Sequence, residues 1–134
     1  MEFFENNVKT INAILKKQYP LYFGRKEVKT ISAQIQRDEN VITAIVGQIG
    51  ETDGTVVLTD KRFLYATNAI YEKNIETISF FLKDVTEISE GTATSFFKSM
   101  RISGHNFSCA INGKIREIKN FKLELEKQVY NNKK

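Results

Sequence analysis

One stretch constrains the fold of this chain more than any other: residues 54–66, which read Gly-Thr-Val-Val-Leu-Thr-Asp-Lys-Arg-Phe-Leu-Tyr-Ala. Apolar side chains recur at every second position on both sides of residues 60–61, with Val56 and Leu58 before that point and Phe63 after it. β-Branched and aromatic residues at this period, interrupted by turn formers, are typical of a half-buried β-hairpin. The stretch therefore predicts a small antiparallel sheet.

Similar alternation, bounded by turn residues, predicts strands in several other parts of the chain. The seven predicted strands lie at about 41–49, 55–59, 62–67, 74–81, 84–89, 94–103 and 107–111. The turn before the second strand contains Asp53-Gly54, a dipeptide that supplies the positive φ values of tight hairpins. Seven short strands in a flat sheet would leave long edges open, so we expect a mainly β fold, a seven-stranded antiparallel bent barrel or sandwich.

Two helices are predicted before the strands. Val8, Ile11 and Leu15 fall at helical spacing within residues 7–19, and Pro20 ends that segment. A second helix is predicted from about residue 25 to residue 37. The apolar residues outside both stripes are Phe3, Phe4, Leu21, Tyr22 and Phe23. We expect a helical arm at 1–37 that packs on the barrel or on a neighbouring subunit, followed by a domain at 38–134.

A third helix is predicted after the last strand, over residues 113–130, with Asn112 as its cap. Ile115, Ile118, Phe121 and Leu125 fall on one arc of this helix, and a breaker-free run of this length favours helix over strand. Such an amphipathic helix is expected to plug an open end of the barrel.

Seven strands and a capping helix resemble the pleckstrin-homology (PH) fold, and two local motifs resemble the bacterial PH-like domains, in particular the YokE-like group. Glu39 stands before the first strand, and a Leu-Thr-Asp-x-Arg signature joins the second and third strands. The predicted structural signature consists of Leu58, Thr59, Asp60 and Arg62. From turn chemistry we expect Asp60 to accept hydrogen bonds from turn amides and Arg62 to pair with a carboxylate. The resemblance implies a non-catalytic binding or assembly module.

Charge is distributed unevenly along the chain. The net charge is +4, yet residues 38–95 carry ten acidic and four basic side chains, whereas residues 96–134 carry nine basic and three acidic ones. A candidate anion-binding face on the last helix comprises Lys114, Arg116, Lys119, Lys122 and Lys127. It suits weak contact with anionic lipid, whereas the lack of interleaved aromatic residues disfavours nucleic acid. The alternative is that these bases only keep the helix soluble.

Phosphoinositide-binding PH domains resemble one another in a basic loop after the first strand, but residues 47–54 contain two acids and no base.

No catalytic, metal-binding or cofactor motif is present in the sequence. His105 and Cys109 are single residues of their type, and the apolar neighbours of Cys109 favour a buried thiol. One cysteine allows no internal disulfide, which points to the cytoplasm, and no apolar run is long enough to span a membrane. We therefore predict a cytoplasmic, bacterial or phage-encoded module for protein–protein interaction or self-assembly. The alternative is peripheral binding to anionic lipid or nucleic acid through the last helix.

Overall fold

The computed structural model describes residues 2–20, 26–67 and 76–134, and these form three α-helices, seven β-strands and one short 3-10 helix. In chain order the elements are α1 (Glu2–Gln18), α2 (Lys26–Gln34), β1 (Val41–Ile49), β2 (Thr52–Thr59), β3 (Arg62–Thr67), β4 (Thr77–Phe81), β5 (Val85–Ala93), β6 (Phe97–Gly104), β7 (Ser108–Lys114) and α3 (Ile115–Asn132), with the 3-10 helix (Leu82–Asp84) between β4 and β5. The predicted order of two helices, seven strands and a final helix is confirmed. The predicted start of the fourth strand at Asn74, and the apolar residues 21–23, lie outside the described residues.

All seven strands belong to one antiparallel sheet in the order β4-β3-β2-β1-β7-β6-β5. β1 pairs with β2 from Val41 to Ile49, but with β7 only at Gln48 and Ile49. On either side of this short contact, the two halves of the sheet contribute side chains to one shared core. The sheet is therefore bent across the β1–β7 contact, as the PH-like architecture requires.

The inner core lies between the two halves of the sheet and beneath α3. Phe63 of β3 stacks on Phe80 of β4 at 4.6 Å between ring centroids, and the ring of Phe121 from α3 meets Phe63 edge-on at 6.2 Å. Ile118 and Leu125 of α3 are fully buried in the same cluster. The final helix thus caps the bent sheet and contributes aromatic contacts of the kind that stabilise protein cores.

A second core lies on the outer face of β1–β3, where α1 and α2 pack. Ile11 and Leu15 of α1 are fully buried in this arm core together with Val57 and Leu64 of the sheet. The hairpin is buried on both faces and not half-buried as expected, because α1 and α2 cover its outer face. The helices described in the arm pack on the sheet of their own chain. The division into an arm at 1–37 and a domain at 38–134 stays a prediction.

Several boundaries differ from the predicted ones. α1 begins at Glu2 rather than near residue 7, so Phe3 is helical and packs partly against the arm core. Gly50 is the one described residue with a positive φ, at 64°, and Gly54 lies within β2. The tight turn therefore follows β1 directly.

β7 continues to Lys114, so Asn112 does not cap α3. Asn112 pairs with Gln48 of β1 and with Ser99 of β6. These pairings hold the chain extended until Ile115, where α3 begins without a side-chain hydrogen bond at its cap residue. Among the helices described, none is both long and apolar enough to cross a membrane.

Candidate functional site

The turn between β2 and β3 is closed by a hydroxyl group. The Oγ1 atom of Thr59 accepts hydrogen bonds from the backbone N–H groups of Lys61 at 3.1 Å and Arg62 at 2.9 Å. The expectation that Asp60 would bond these turn amides was wrong. Its Oδ1 atom accepts the backbone N–H of Asn40 at 3.0 Å, which ties the turn to the start of β1. Because the Thr59 hydroxyl already accepts the two turn N–H groups, the Asp60 carboxylate can instead accept the N–H group at the start of β1.

Glu39, just before β1, is the centre of a hydrogen-bond network with the signature residues, although it carries a charge and is only 3% exposed. Its carboxylate accepts the Thr59 hydroxyl at 2.7 Å, the Gln36 backbone N–H at 3.0 Å and, at 2.6 Å, the Nη2 group of Arg62. The same Arg62 nitrogen donates to the carbonyl of Gln34 at the end of α2. Burial opposes the charged carboxylate, but the hydrogen bonds from Arg62, Gln36 and Thr59 outweigh it and keep the pKa of Glu39 below its usual value.

This network joins the arm, the start of β1 and the β2–β3 turn. Leu58, the remaining signature residue, is fully buried in the inner core. Since the Glu39 carboxylate and the Arg62 guanidinium already bond each other and the surrounding chain, the arrangement supports a structural role for the signature.

The five basic residues predicted as one face do not share one face. Lys114 lies at the end of β7, and its Nζ is 5.4 Å from the centroid of the Tyr19 ring. Lys122 is 21% exposed and lies 3.8 Å from a carboxylate oxygen of Glu90 and 3.7 Å from one of Glu126. Arg116, Lys119 and Lys127 are exposed and form no ion pair within the described part of the chain.

The three unpaired bases belong to an outward stripe of α3, which we define as Arg116, Lys119, Leu123, Lys127 and Tyr130. Spacings of three and four residues place these side chains on one side of a helix. Leu123 and Tyr130 are each 66% exposed. The sequence interpretation missed these two apolar residues. It considered apolar residues only on the buried side of the helix and only basic residues on the exposed side. The same periodicity would have revealed them.

The hairpin tip between β5 and β6 carries two exposed phenylalanines. Phe96 is 76% exposed and Phe97 is 49% exposed. The Thr94 hydroxyl accepts the Phe97 backbone N–H at 3.1 Å, and the Phe96 carbonyl accepts the Ile115 backbone N–H at 3.0 Å. These bonds fix the tip beside the start of α3, where the two rings, Lys114 and Arg116 line a shallow depression. The sequence interpretation placed this segment inside a strand and so missed its exposure.

The two outer strands of the sheet differ. In the described part of the chain, β4 pairs only with β3, and every β4 residue except Phe80 is exposed. β5, at the opposite edge, has two irregularities in its register with β6 and exposes Glu87 and Glu90. Bulges and charges protect an edge from pairing with another chain. β4 has neither in the described ladder.

The described residues contain no group of three or more His, Cys, Asp or Glu side chains able to hold a metal ion. Cys109 is 6% exposed, and burial raises the pKa of its thiol to about 11. The turn between β1 and β2 is short and presents Glu51 and Asp53, both exposed, in place of a basic loop. These features offer neither an activated nucleophile nor a phosphate pocket at that turn.

Solved structures with a similar fold include the following three. A pleckstrin-homology domain from Shewanella amazonensis SB2B has a TM-score of 0.56 at 14% identity, with 78% of this chain and 96% of that chain covered. A DUF1696 family protein with a pleckstrin-homology domain from Shewanella loihica PV-4 has a TM-score of 0.53 at 12% identity, with 81% and 92% covered. The linker-DH/PH domains of p115-RhoGEF have a TM-score of 0.60 at 8% identity, with 97% of this chain and 40% of that chain covered.

No curated protein sequence matches the chain. The sequence model of the bacterial PH domain matches residues 35–129, which is most of the chain and contains the whole sheet, the signature and nearly all of α3. That model does not single out the YokE-like group, which stays a prediction. The seven-stranded bent sheet, its capping helix and this match together show that the chain belongs to the bacterial PH domain family.

Proposed function

We propose that this chain is a non-catalytic, cytoplasmic binding module that assembles with copies of itself through the β4 edge. PH domains are in general binding modules, and the described residues hold no activated nucleophile or metal-binding group. The observation that carries the proposal is the exposed, uncharged edge at β4. An unpaired row of backbone N–H and C=O groups is a template for a strand from another chain.

The composition of β4 favours such pairing. The strand reads Thr-Ile-Ser-Phe-Phe and carries no charge, while Ile78 is 38% and Phe81 is 46% exposed. Apolar surface on a strand edge becomes buried when a second strand is added, which favours association. The other edge, β5, is irregular and acidic, so pairing there is disfavoured.

A second copy of β4 suits this edge better than an arbitrary peptide. Two identical strands that pair antiparallel about a two-fold axis centred on Ser79 place Ile78 of one copy opposite Phe80 of the other, and Thr77 opposite Phe81. Positions 77–81 carry no charge in either copy, so no like charges meet within the strand. The result is a symmetric dimer with one continuous sheet.

Sedimentation velocity over a concentration series tests this proposal with one central substitution. Ser79→Lys places two lysines opposite each other at the two-fold axis, and we expect the dimer to be lost, because like charges directly opposite destabilise a strand pair. Thr92→Lys, at an exposed position of β5, is the matched control and should keep the dimer. The proposal is contradicted if the wild-type chain remains monomeric at high concentration. It is also contradicted if Ser79→Lys and Thr92→Lys weaken the dimer equally.

Deletion of residues 1–23 is not a clean test of self-assembly. The deletion removes Ile11 and Leu15 from the arm core and uncovers Val57 and Leu64 of the sheet. A change in the oligomeric state of the truncated chain could then result from the newly exposed core residues and not from the loss of a natural contact. Substitutions on exposed residues avoid this problem.

A second candidate function is peripheral binding to an anionic surface through α3. The observation that favours it is the set of exposed bases on the outward stripe without ion pairs in the described residues: Arg116, Lys119 and Lys127. Co-sedimentation with anionic vesicles over a salt series should show binding that weakens as salt rises and is lost in Arg116→Glu/Lys119→Glu. Absence of binding at low salt contradicts this second function.

A further inference from the structure

We infer that the Phe96–Phe97 hairpin tip and the outward stripe of α3 form one membrane-docking surface, whose partner is the headgroup region of a bilayer rich in anionic phospholipid. The inference rests on the second proposed function, binding to an anionic surface, and names both its partner and an additional contact site.

Exposure of large apolar side chains is concentrated on this side of the molecule. Of the described large apolar residues that are exposed, the four with the highest exposed fractions are Phe96 at 76%, Leu123 and Tyr130 at 66%, and Phe97 at 49%. Two of them occupy the hairpin tip and two belong to the outward stripe. Apolar side chains grouped in this way mark a contact surface rather than scattered solvent-exposed residues.

The tip and the stripe are held together by the backbone. The hydrogen bond from the Ile115 N–H to the Phe96 carbonyl, at 3.0 Å, anchors the tip one residue before Arg116, where the stripe begins. From Arg116 to Tyr130 a helix extends about 20 Å. The surface is therefore a narrow band with aromatic rings at both ends and with Leu123 among the bases between them.

This mixture of side chains suits the interface of a bilayer. Aromatic rings favour the level of the headgroups, and bases near an anionic leaflet are attracted to its phosphates. A helix with basic and apolar residues on its outer side lies in the plane of the interface. Three acids lie beside the stripe on α3: Glu126, which is 3.7 Å from Lys122, and Glu117 and Glu124, which are half-buried. The stripe itself contains three exposed bases and no acid.

A bilayer fits this surface better than a nucleic acid or a folded protein. The exposed rings lie only at the two ends of the band, Phe96 and Phe97 at one end and Tyr130 at the other. Between them only Leu123 accompanies the bases, so successive nucleotide bases would find no row of rings on which to stack. A fluid bilayer accepts a projecting tip without needing a matching pocket. Asp53 of the β1–β2 turn lines one depression together with Phe97 and Lys114, whereas the depression lined by Phe96 and Arg116 contains no residue of that turn.

The test uses the full chain with vesicles of phosphatidylcholine alone and of phosphatidylcholine mixed with phosphatidylglycerol. We expect binding only to the anionic vesicles. Phe96→Ser/Phe97→Ser should weaken binding at fixed salt by at least about tenfold, as expected for two lost apolar contacts, while the salt dependence remains. Lys29→Glu, at an exposed position on α2 away from both proposed contact surfaces, is the control and should change affinity by less than about twofold, since surface positions outside a contact contribute little.

A fluorescent reporter tests insertion directly, because the chain contains no tryptophan. Emission from Phe96→Trp should shift to the blue with anionic vesicles and should be quenched by brominated lipid. Since Phe96 is exposed, circular dichroism should show these variants folded.

The possible failures are distinguishable. Salt-sensitive vesicle binding that is unaffected by Phe96→Ser/Phe97→Ser overturns the docking surface and leaves the anionic-surface function standing. No binding to anionic vesicles at low salt overturns both. Equal binding to a single-stranded oligonucleotide, with no blue shift on vesicles, overturns the bilayer as the partner in favour of nucleic acid.

Discussion

Replacement of Arg62 by methionine should be among the most destabilising single changes in this chain. Arg62 is 11% exposed and donates to the Glu39 carboxylate, which is itself 2% exposed in its side chain. Without the guanidinium, Glu39 keeps only the Thr59 hydroxyl and the Gln36 amide as donors. Removal of one partner from a buried ion pair costs about 3–5 kcal/mol, because the other charge is left buried without compensation. We expect a loss of that size in the free energy of unfolding.

Urea denaturation followed by far-UV circular dichroism measures this loss, and a double variant identifies its cause. Glu39→Met/Arg62→Met removes both charges and should be within about 2 kcal/mol of the wild type, since a buried ion pair can often be replaced by apolar residues at little cost. Lys61→Met breaks the exposed pair with Asp38 and serves as the control, with no measurable change expected. A cost below about 1 kcal/mol for Arg62→Met, or additive costs in the double variant, refutes the reasoning.

The pH dependence of stability follows from the same network. The pKa of Glu39 is lower in the folded protein than its usual value, so the folded state favours the charged carboxylate. Its contribution is therefore fully present above the usual pKa of about 4.3 and is lost as the pH falls through the folded value. On acidification, the wild type should lose more stability than Glu39→Met/Arg62→Met. Parallel curves for the two proteins contradict this assignment.

Three further predictions test other parts of the fold. Leu15→Ala should cost about 2–5 kcal/mol in unfolding free energy, because Leu15 is fully buried in the arm core; a cost near zero by urea denaturation means that the arm is dispensable. Gly54→Ala should destabilise by more than Gly50→Ala, because a Cβ on Gly54 overlaps the Ala66 carbonyl and the Tyr65 ring, whereas one on Gly50 meets nothing within 4 Å and costs only the strain of a φ of 64°, about 1–2 kcal/mol. The reverse order contradicts the β2–β3 register. Cys109 should resist a thiol-specific reagent at neutral pH until the protein is unfolded, since burial raises its pKa to about 11; fast labelling of the native chain refutes its burial.

The elements and the family could be predicted from the sequence because local periodicity and turn residues determine them. The alternation around Val56 and Phe63 predicted the hairpin, and the arc from Ile115 to Leu125 predicted the capping helix. These signals lie within a few residues of one another. Tertiary packing was not required to read them.

The features that failed to be predicted depend on contacts between distant residues. Val57 and Leu64 are buried because α1 and α2 pack on them. The alternation of residues within the hairpin gives no information about this packing. Asn112 was predicted to cap α3, but pairing with both β1 and β6 keeps it in a strand. The exposure of Phe96 follows from the exact limits of β5 and β6, which periodicity locates only to within a few residues.

Amide hydrogen exchange in β4 as a function of protein concentration tests self-assembly most directly. The Leu82 N–H donates to the Lys61 carbonyl at 2.9 Å, and the Thr67 N–H donates to the Glu76 carbonyl at 2.9 Å. The antiparallel alternation then directs the N–H groups of Thr77, Ser79 and Phe81 away from β3. Exchange of these three amides, measured by NMR, should be fast in dilute solution and slow markedly as concentration rises, while that of Leu82 stays slow throughout. Fast exchange of all three at every concentration would contradict assembly through this edge.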